Sequence, residues 1–126
     1  MKKKFVKPFV FICLSFVIAT IAVASVVLRP PSPPRNVQVN NLTTNSCSIT
    51  YKEPANDGGT PVICYEIECM NLDSGKWVSK GVSTILNHEI NGLLPGSTIL
   101  IRVSALNKIG RSEPAMVERP VEIPNQ

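Results

Sequence analysis

The chain has 126 residues, 44% of them hydrophobic and 17% charged, with a formal net charge of +4. That length is one domain's worth with some chain to spare. Lys2, Lys3, Lys4 and Lys7 carry the whole excess, and the nine later basic residues balance nine carboxylates, which excludes the basic patch that nucleic-acid binding needs.

Residues 1–8 form a basic N-terminal region. From Phe9 to Leu28 the sequence is apolar, broken only by Cys13, Ser15, Thr20 and Ser25. As a helix this run reaches about 30 Å, enough for a bilayer's hydrocarbon core. Four lysines before it and Arg29 after it put the N-terminus in the cytoplasm by the positive-inside bias, and everything beyond Leu28 outside the cell or in a lumen. The spanning length favours an uncleaved anchor over residues 9–28. A cleaved signal peptide competes, because Ala22-Val23-Ala24 before Ser25 fits a small-x-small site. A third reading is a spurious leader on a cytosolic fragment.

Arg29-Pro30-Pro31-Ser32-Pro33-Pro34-Arg35 follows as a stiff extended linker over residues 29–35. Pro30, Pro33 and Arg35 also match a proline-rich ligand pattern, but a structural spacer is the preferred reading. Beyond them the hydrophobic period is two, with turn clusters between short runs. Val37, Val39 and Leu42 read as the inward residues of a first strand, Cys47, Ile49 and Tyr51 of a second, and Tyr65, Ile67 and Cys69 of a third. Lys76-Trp77-Val78 is a short fourth strand after the Asn71–Gly75 turn. Leu86, His88 and Ile90 mark a fifth, Ile99, Ile101 and Val103 a sixth, and Met116 to Val121 closes the set.

Five motifs stand in order: Asp57-Gly58-Gly59-Thr60-Pro61, Tyr65-Glu66-Ile67-Glu68, Trp77, Leu93-Leu94-Pro95-Gly96, and Arg102-Val103-Ser104-Ala105-Leu106-Asn107-Lys108-Ile109-Gly110. Together they resemble a fibronectin type III domain, nearest those of titin- and twitchin-like giant muscle proteins. The resemblance implies an all-β, immunoglobulin-like two-sheet sandwich of about seven strands over residues 36–122, preceded by the apolar helix and followed by a tail over 123–126. It implies that the family's buried strand tryptophan is replaced here by Tyr51 and its corner tyrosine by Ile99, so a member of lower than average stability is expected.

Chemistry is sparse. No pair among Cys13, Cys47, Cys64 and Cys69 has zinc spacing, and His88 alone cannot complete a site. Cys47 and Cys69 share the inward phase on strands that the resemblance assigns to opposite sheets, so a bridge is conceivable, but free buried thiols are the expectation. Three such cysteines suit an intracellular domain better than an oxidising compartment. Glu66 and Glu68 lie on one outward face as a solvated surface. Gly58-Gly59 precedes a strand rather than a helix, which argues against a phosphate loop. No catalytic, cofactor-binding or metal-binding residue is expected.

Asn41-Leu42-Thr43 makes Asn41 a glycosylation candidate. Binding surfaces in such sandwiches lie in end loops. Asp57, Gly58 and Gly59 in the Glu53–Pro61 loop, with Asn107, Lys108 and Arg111 in the Asn107–Glu113 loop, are therefore the candidate protein-binding residues. The preferred expectation is a non-enzymatic adhesion or protein-binding module, displayed outside the cell or in a lumen, with membrane contact through residues 9–28. The alternatives are a structural spacer from a titin- or twitchin-like sarcomeric filament protein, and a secreted single-domain binding protein. The expected partners are proteins, with no nucleic acid and no small-molecule substrate.

Overall fold

A computed structural model describes residues 26–126. Its strands in chain order are β1 (Arg35–Asn40), β2 (Cys47–Lys52), β3 (Cys64–Asn71), β4 (Trp77–Ser83), β5 (Asn87–Ile90), β6 (Thr98–Leu106), β7 (Ala115–Met116) and β8 (Val121–Glu122). One antiparallel sheet has the order β1-β2-β5, and the other runs β4-β3-β6-β7 with β8 also pairing to β6. No helix among the described residues is long and apolar enough to cross a membrane. The helix expected over residues 9–28 lies outside the described residues except for Val26, Val27 and Leu28, which belong to no regular element.

Strict alternation builds the core. Cys47, Ile49 and Tyr51 on β2 face Tyr65, Ile67 and Cys69 on β3 and Ile99, Ile101, Val103 and Ala105 on β6, each no more than 5% exposed. Successive strand residues point to opposite faces, so these rows fill the space between two sheets packed face to face. Ile90, Leu93, Val121 and Ile123 close the periphery. Ile123 belongs to the domain and not to a tail, since its amide donates to the Ser97 carbonyl at 2.8 Å and its side chain is buried.

Four strand readings need correction. Leu42 is 41% exposed, because the chain leaves β1 at Asn41, whose positive φ of 48° breaks the alternation. Leu86 is 37% exposed. It belongs to a bend gathered around the Ser83 hydroxyl, which donates to the carbonyls of Ile85 and Asn87 and accepts from the Ile85 amide. The fourth strand extends to Ser83, well past Val78. The closing strand is two short pieces: the Val117 amide still donates to the Ile101 carbonyl at 2.9 Å, and the chain then bends away over residues 118–120, where Pro120 has no amide to donate.

The two departures from the family pattern are absorbed inside the core. The Tyr51 hydroxyl donates to the Ile85 carbonyl at 2.6 Å, and its ring lies 4.9 Å from that of Tyr65 at a 54° tilt. Ile99 is buried and refills its site with aliphatic volume. Tyr51→Phe deletes this hydrogen bond while keeping the ring, so it is expected to cost about 1 kcal/mol of unfolding free energy in urea titration; an unchanged midpoint contradicts that role.

Burial pushes the Cys69 thiol up to about 12, with the charge of Cys47 adding to the rise. Burial also raises Cys47, Tyr51 and Tyr65 above their ordinary values. Each group therefore holds its proton more tightly in the folded state. Once pH passes the ordinary cysteine value of 9.0, the unfolded chain binds fewer protons than the folded one, and stability falls with rising pH. Denaturant midpoints are expected to drop from about pH 9 upward; a midpoint that climbs over that range runs the other way.

Candidate functional site

The loop between β2 and β3 and the loop after β6 meet at one end of the sandwich, and one side chain joins them. Asn107 opens the second loop and is only 6% exposed. Its Nδ2 donates to the carbonyls of Arg29 at 2.7 Å and Asp57 at 2.8 Å. Its Oδ1 accepts from the amides of Ile109 at 2.9 Å and Gly110 at 3.1 Å. Those four bonds use both donors and both lone pairs of a carboxamide. Asn107 thus binds three stretches of chain: the lead-in, the first loop and its own loop.

The lead-in is part of this arrangement. The Arg29 amide donates to the Gly58 carbonyl at 2.9 Å, and the Ser32 amide to the Asn56 carbonyl at 2.8 Å. The Ser32 hydroxyl exchanges two further bonds with the Asn56 backbone. Pro31 and Pro34 are buried, Pro30 lies against Gly110, and Arg35 donates to the Glu53 carbonyl at 2.8 Å. Pro30, Pro33 and Arg35 of the proline-rich ligand pattern stay exposed, while Pro31 and Pro34 between them anchor the segment to the domain. Gly58 has φ +83°, and a Cβ there would overlap the Arg29 carbonyl oxygen, so glycine is required both by the backbone and by the close approach.

The remaining candidates are placed differently. The Asp57 carboxylate accepts from the Gly59 amide at 2.8 Å and is otherwise exposed. Gly59 is exposed beside Leu28. Lys108 is exposed at the tip of its loop. Arg111 leans onto the neighbouring sheet, where Nη2 lies 2.9 Å from Glu66 Oε1. Next to it, Arg102 Nε lies 2.9 Å from Glu68 Oε1, and its guanidinium carbon sits 4.0 Å above the Trp77 ring. Glu66 and Glu68 were legible as an outward pair, but their cationic partners follow from the β3–β6 register, which sets Glu68 opposite Arg102.

Asn41 is exposed, while the hydroxyl of Thr43 in the same triplet accepts from the Ser46 amide at 2.9 Å. Cys47, Cys64 and Cys69 are free. Among the described residues, no cluster of three or more His, Cys, Asp or Glu side chains can hold a metal.

Gly58→Ala is expected to lift the lead-in from the loop, speeding amide hydrogen exchange at Arg29 and Ser32 by at least tenfold while the β3 and β6 amides keep their protection. Asn107→Ala is expected to add faster exchange at Ile109 and Gly110. Unchanged exchange at Arg29 in both variants contradicts the clamp.

The fibronectin type III domain family model matches residues 32–118. Human cardiac-type myosin-binding protein C is 31% identical over 96 residues, covering 75% of this chain and 8% of that protein. The chain thus spans less than a tenth of such curated relatives. Among solved structures, domains A168–A170 of titin superpose with a TM-score of 0.74 at 28% identity, covering 78% of this chain and 34% of that one. The twitchin kinase region from C. elegans superposes with a TM-score of 0.72 at 34% identity, covering 76% and 17%. Two sheets of this order, closed at one end by the Asp-Gly-Gly turn and the Asn107 loop, and matched over most of their length by these proteins, place the chain in the fibronectin type III family.

Proposed function

We propose that this chain is a non-enzymatic protein-binding and spacer module of the kind found in sarcomeric filament proteins. The observation that carries this reading is its likeness to myosin-binding protein C and to titin and twitchin domains, at 28–34% identity over about three quarters of the chain. The docked lead-in supports it. Its entering segment is hydrogen-bonded to the end loops from Arg29 onward, a fixed entry of the sort a unit in a stiff array needs. Three free cysteines, two of them buried, accord with a reducing compartment. On this reading the functional unit runs from the lead-in at Arg29 to Ile123.

The apolar run from Phe9 to Leu28 and the lysines before it favour a second reading. In it the same module stands outside the cell or in a lumen on a single-pass anchor, and Asn41 becomes available for glycosylation. Both readings assign protein partners and differ in compartment.

Two measurements test them. Cosedimentation of the full chain with purified myosin filaments is expected to give saturable pelleting, and its absence counts against a myosin-type partner. In intact microsomes, protease is expected to reach the domain from the cytosolic side. Protection, together with a glycosidase-sensitive mass shift, favours the anchored reading instead.

A further inference from the structure

We propose that a cleft beside the β2–β3 loop receives an arginine side chain of a partner protein. This deepens the protein-binding half of the function above and rests on it. The cleft has a volume of about 300 Å³ and is lined by Glu53, Pro54, Asp57, Ile63, Tyr65 and Leu86 among others. That volume lies at the small end of ligand clefts, which suits one long side chain better than an inserted helix.

Tyr65 is the deepest of these residues, at 5% exposure. Its neighbour Tyr51 commits its hydroxyl to the Ile85 carbonyl, whereas the Tyr65 hydroxyl has no hydrogen-bond partner among the described residues. No fully buried side-chain polar atom there lacks a partner, so the Tyr65 oxygen opens into the cleft. The ring is buried in the core while the oxygen stays solvent-accessible, so it can accept a hydrogen bond from an incoming donor. After burial itself, the charge of Glu53 is the main influence raising the Tyr65 phenol, which puts that carboxylate within electrostatic reach of it.

Among the described residues, no cation pairs with the cleft's carboxylates. The two ion pairs among the described residues use Glu66 and Glu68. Arg35 approaches Glu53 but donates from Nε to its backbone carbonyl. Asp57 accepts one backbone amide through Oδ1. Apolar surface completes the site, with Ile63 at 60% exposure and Leu86 at 37%. An arginine meets all of these features together. Its methylenes lie along Pro54, Ile63 and Leu86, while its planar guanidinium, with five donors, reaches a carboxylate and the phenol oxygen.

The test titrates the isotopically labelled full chain with the capped peptide acetyl-Leu-Arg-Leu-amide, followed by NMR. Shift changes are expected to centre on Ile63, Tyr65 and Leu86. Replacing the peptide's arginine by citrulline, which removes the charge and turns one NH2 donor group into a carbonyl at nearly the same shape, is expected to abolish them. Glu53→Gln is expected to weaken binding roughly tenfold and Tyr65→Phe roughly threefold; Tyr65→Phe keeps the ring in the core, so folding is preserved. Shifts centred elsewhere, equal binding of the citrulline peptide, or no saturable binding overturns the proposal. If both variants still pellet with myosin filaments as the native chain does, the arginine cleft fails while the protein-binding reading stands.

Discussion

The period-two alternation of β2, β3 and β6 is the constraint on which everything else rests. Cys47, Ile49 and Tyr51 must face Tyr65, Ile67 and Cys69 and the inward row of β6. A slip of one residue would turn any of these rows to solvent. Once β3 is locked to β6 over eight consecutive pairs, from Cys64 with Leu106 to Asn71 with Ile99, the outer face is decided as well. Glu68 then stands opposite Arg102, and Glu66 lies within reach of Arg111. The ends of the same two strands bring the β2–β3 loop and the loop after β6 together. The clamp at Asn107 is therefore a consequence of core register, with its geometry completed by the lead-in.

Tyr51 illustrates how the core tolerates a departure from its family pattern. An indole gives more apolar area than a phenol, but the phenol oxygen carries a bond across the sandwich to the bend after β4. That bend is also held by the Ser83 hydroxyl and by the Tyr51 amide, which donates to the Leu86 carbonyl at 3.2 Å, so Tyr51 ties the connection to the core through both backbone and side chain. Ile99 gives up a corner hydrogen bond and gains close packing. Lower stability than a tryptophan-bearing member does not follow from composition alone, because lost area at Tyr51 is offset by a hydrogen bond with a buried partner.

Much of this was legible in the sequence. The inward residues of β2, β3 and β6 follow from alternation, and the turns follow from Asp57-Gly58-Gly59 and Leu94-Pro95-Gly96. The ends of strands were less legible. Leu42 and Leu86 continue the apolar phase, but the backbone turns at Asn41 and around Ser83, and no periodicity reports a positive φ or a hydroxyl acting as a hub. At the loop end, the residue types were legible while their roles were not. Asn107 looked like an exposed contact residue, yet its carboxamide is fully used by backbone groups from three segments. Such a role depends on contacts distant in the chain, with Arg29 and Asn107 separated by 78 positions. The proline-rich lead-in was legible as extended chain, although its composition marks extended chain whether that chain is free or docked.

The residues near the clamp divide their polar groups between structure and surface. Glu53 gives its carbonyl to Arg35, and Asp57 gives its carbonyl to Asn107. Their backbones are therefore fixed, while most of their carboxylate capacity faces outward. Fixing the backbone in the free protein removes part of the ordering cost that a flexible loop would meet on binding. Tyr65 is positioned by the core rather than by the loop, so its hydroxyl is equally preset. A loop end wired this tightly loses the adaptability of free loops and gains a cleft whose charges already stand in place. That trade suits a module recognising one side chain of a partner.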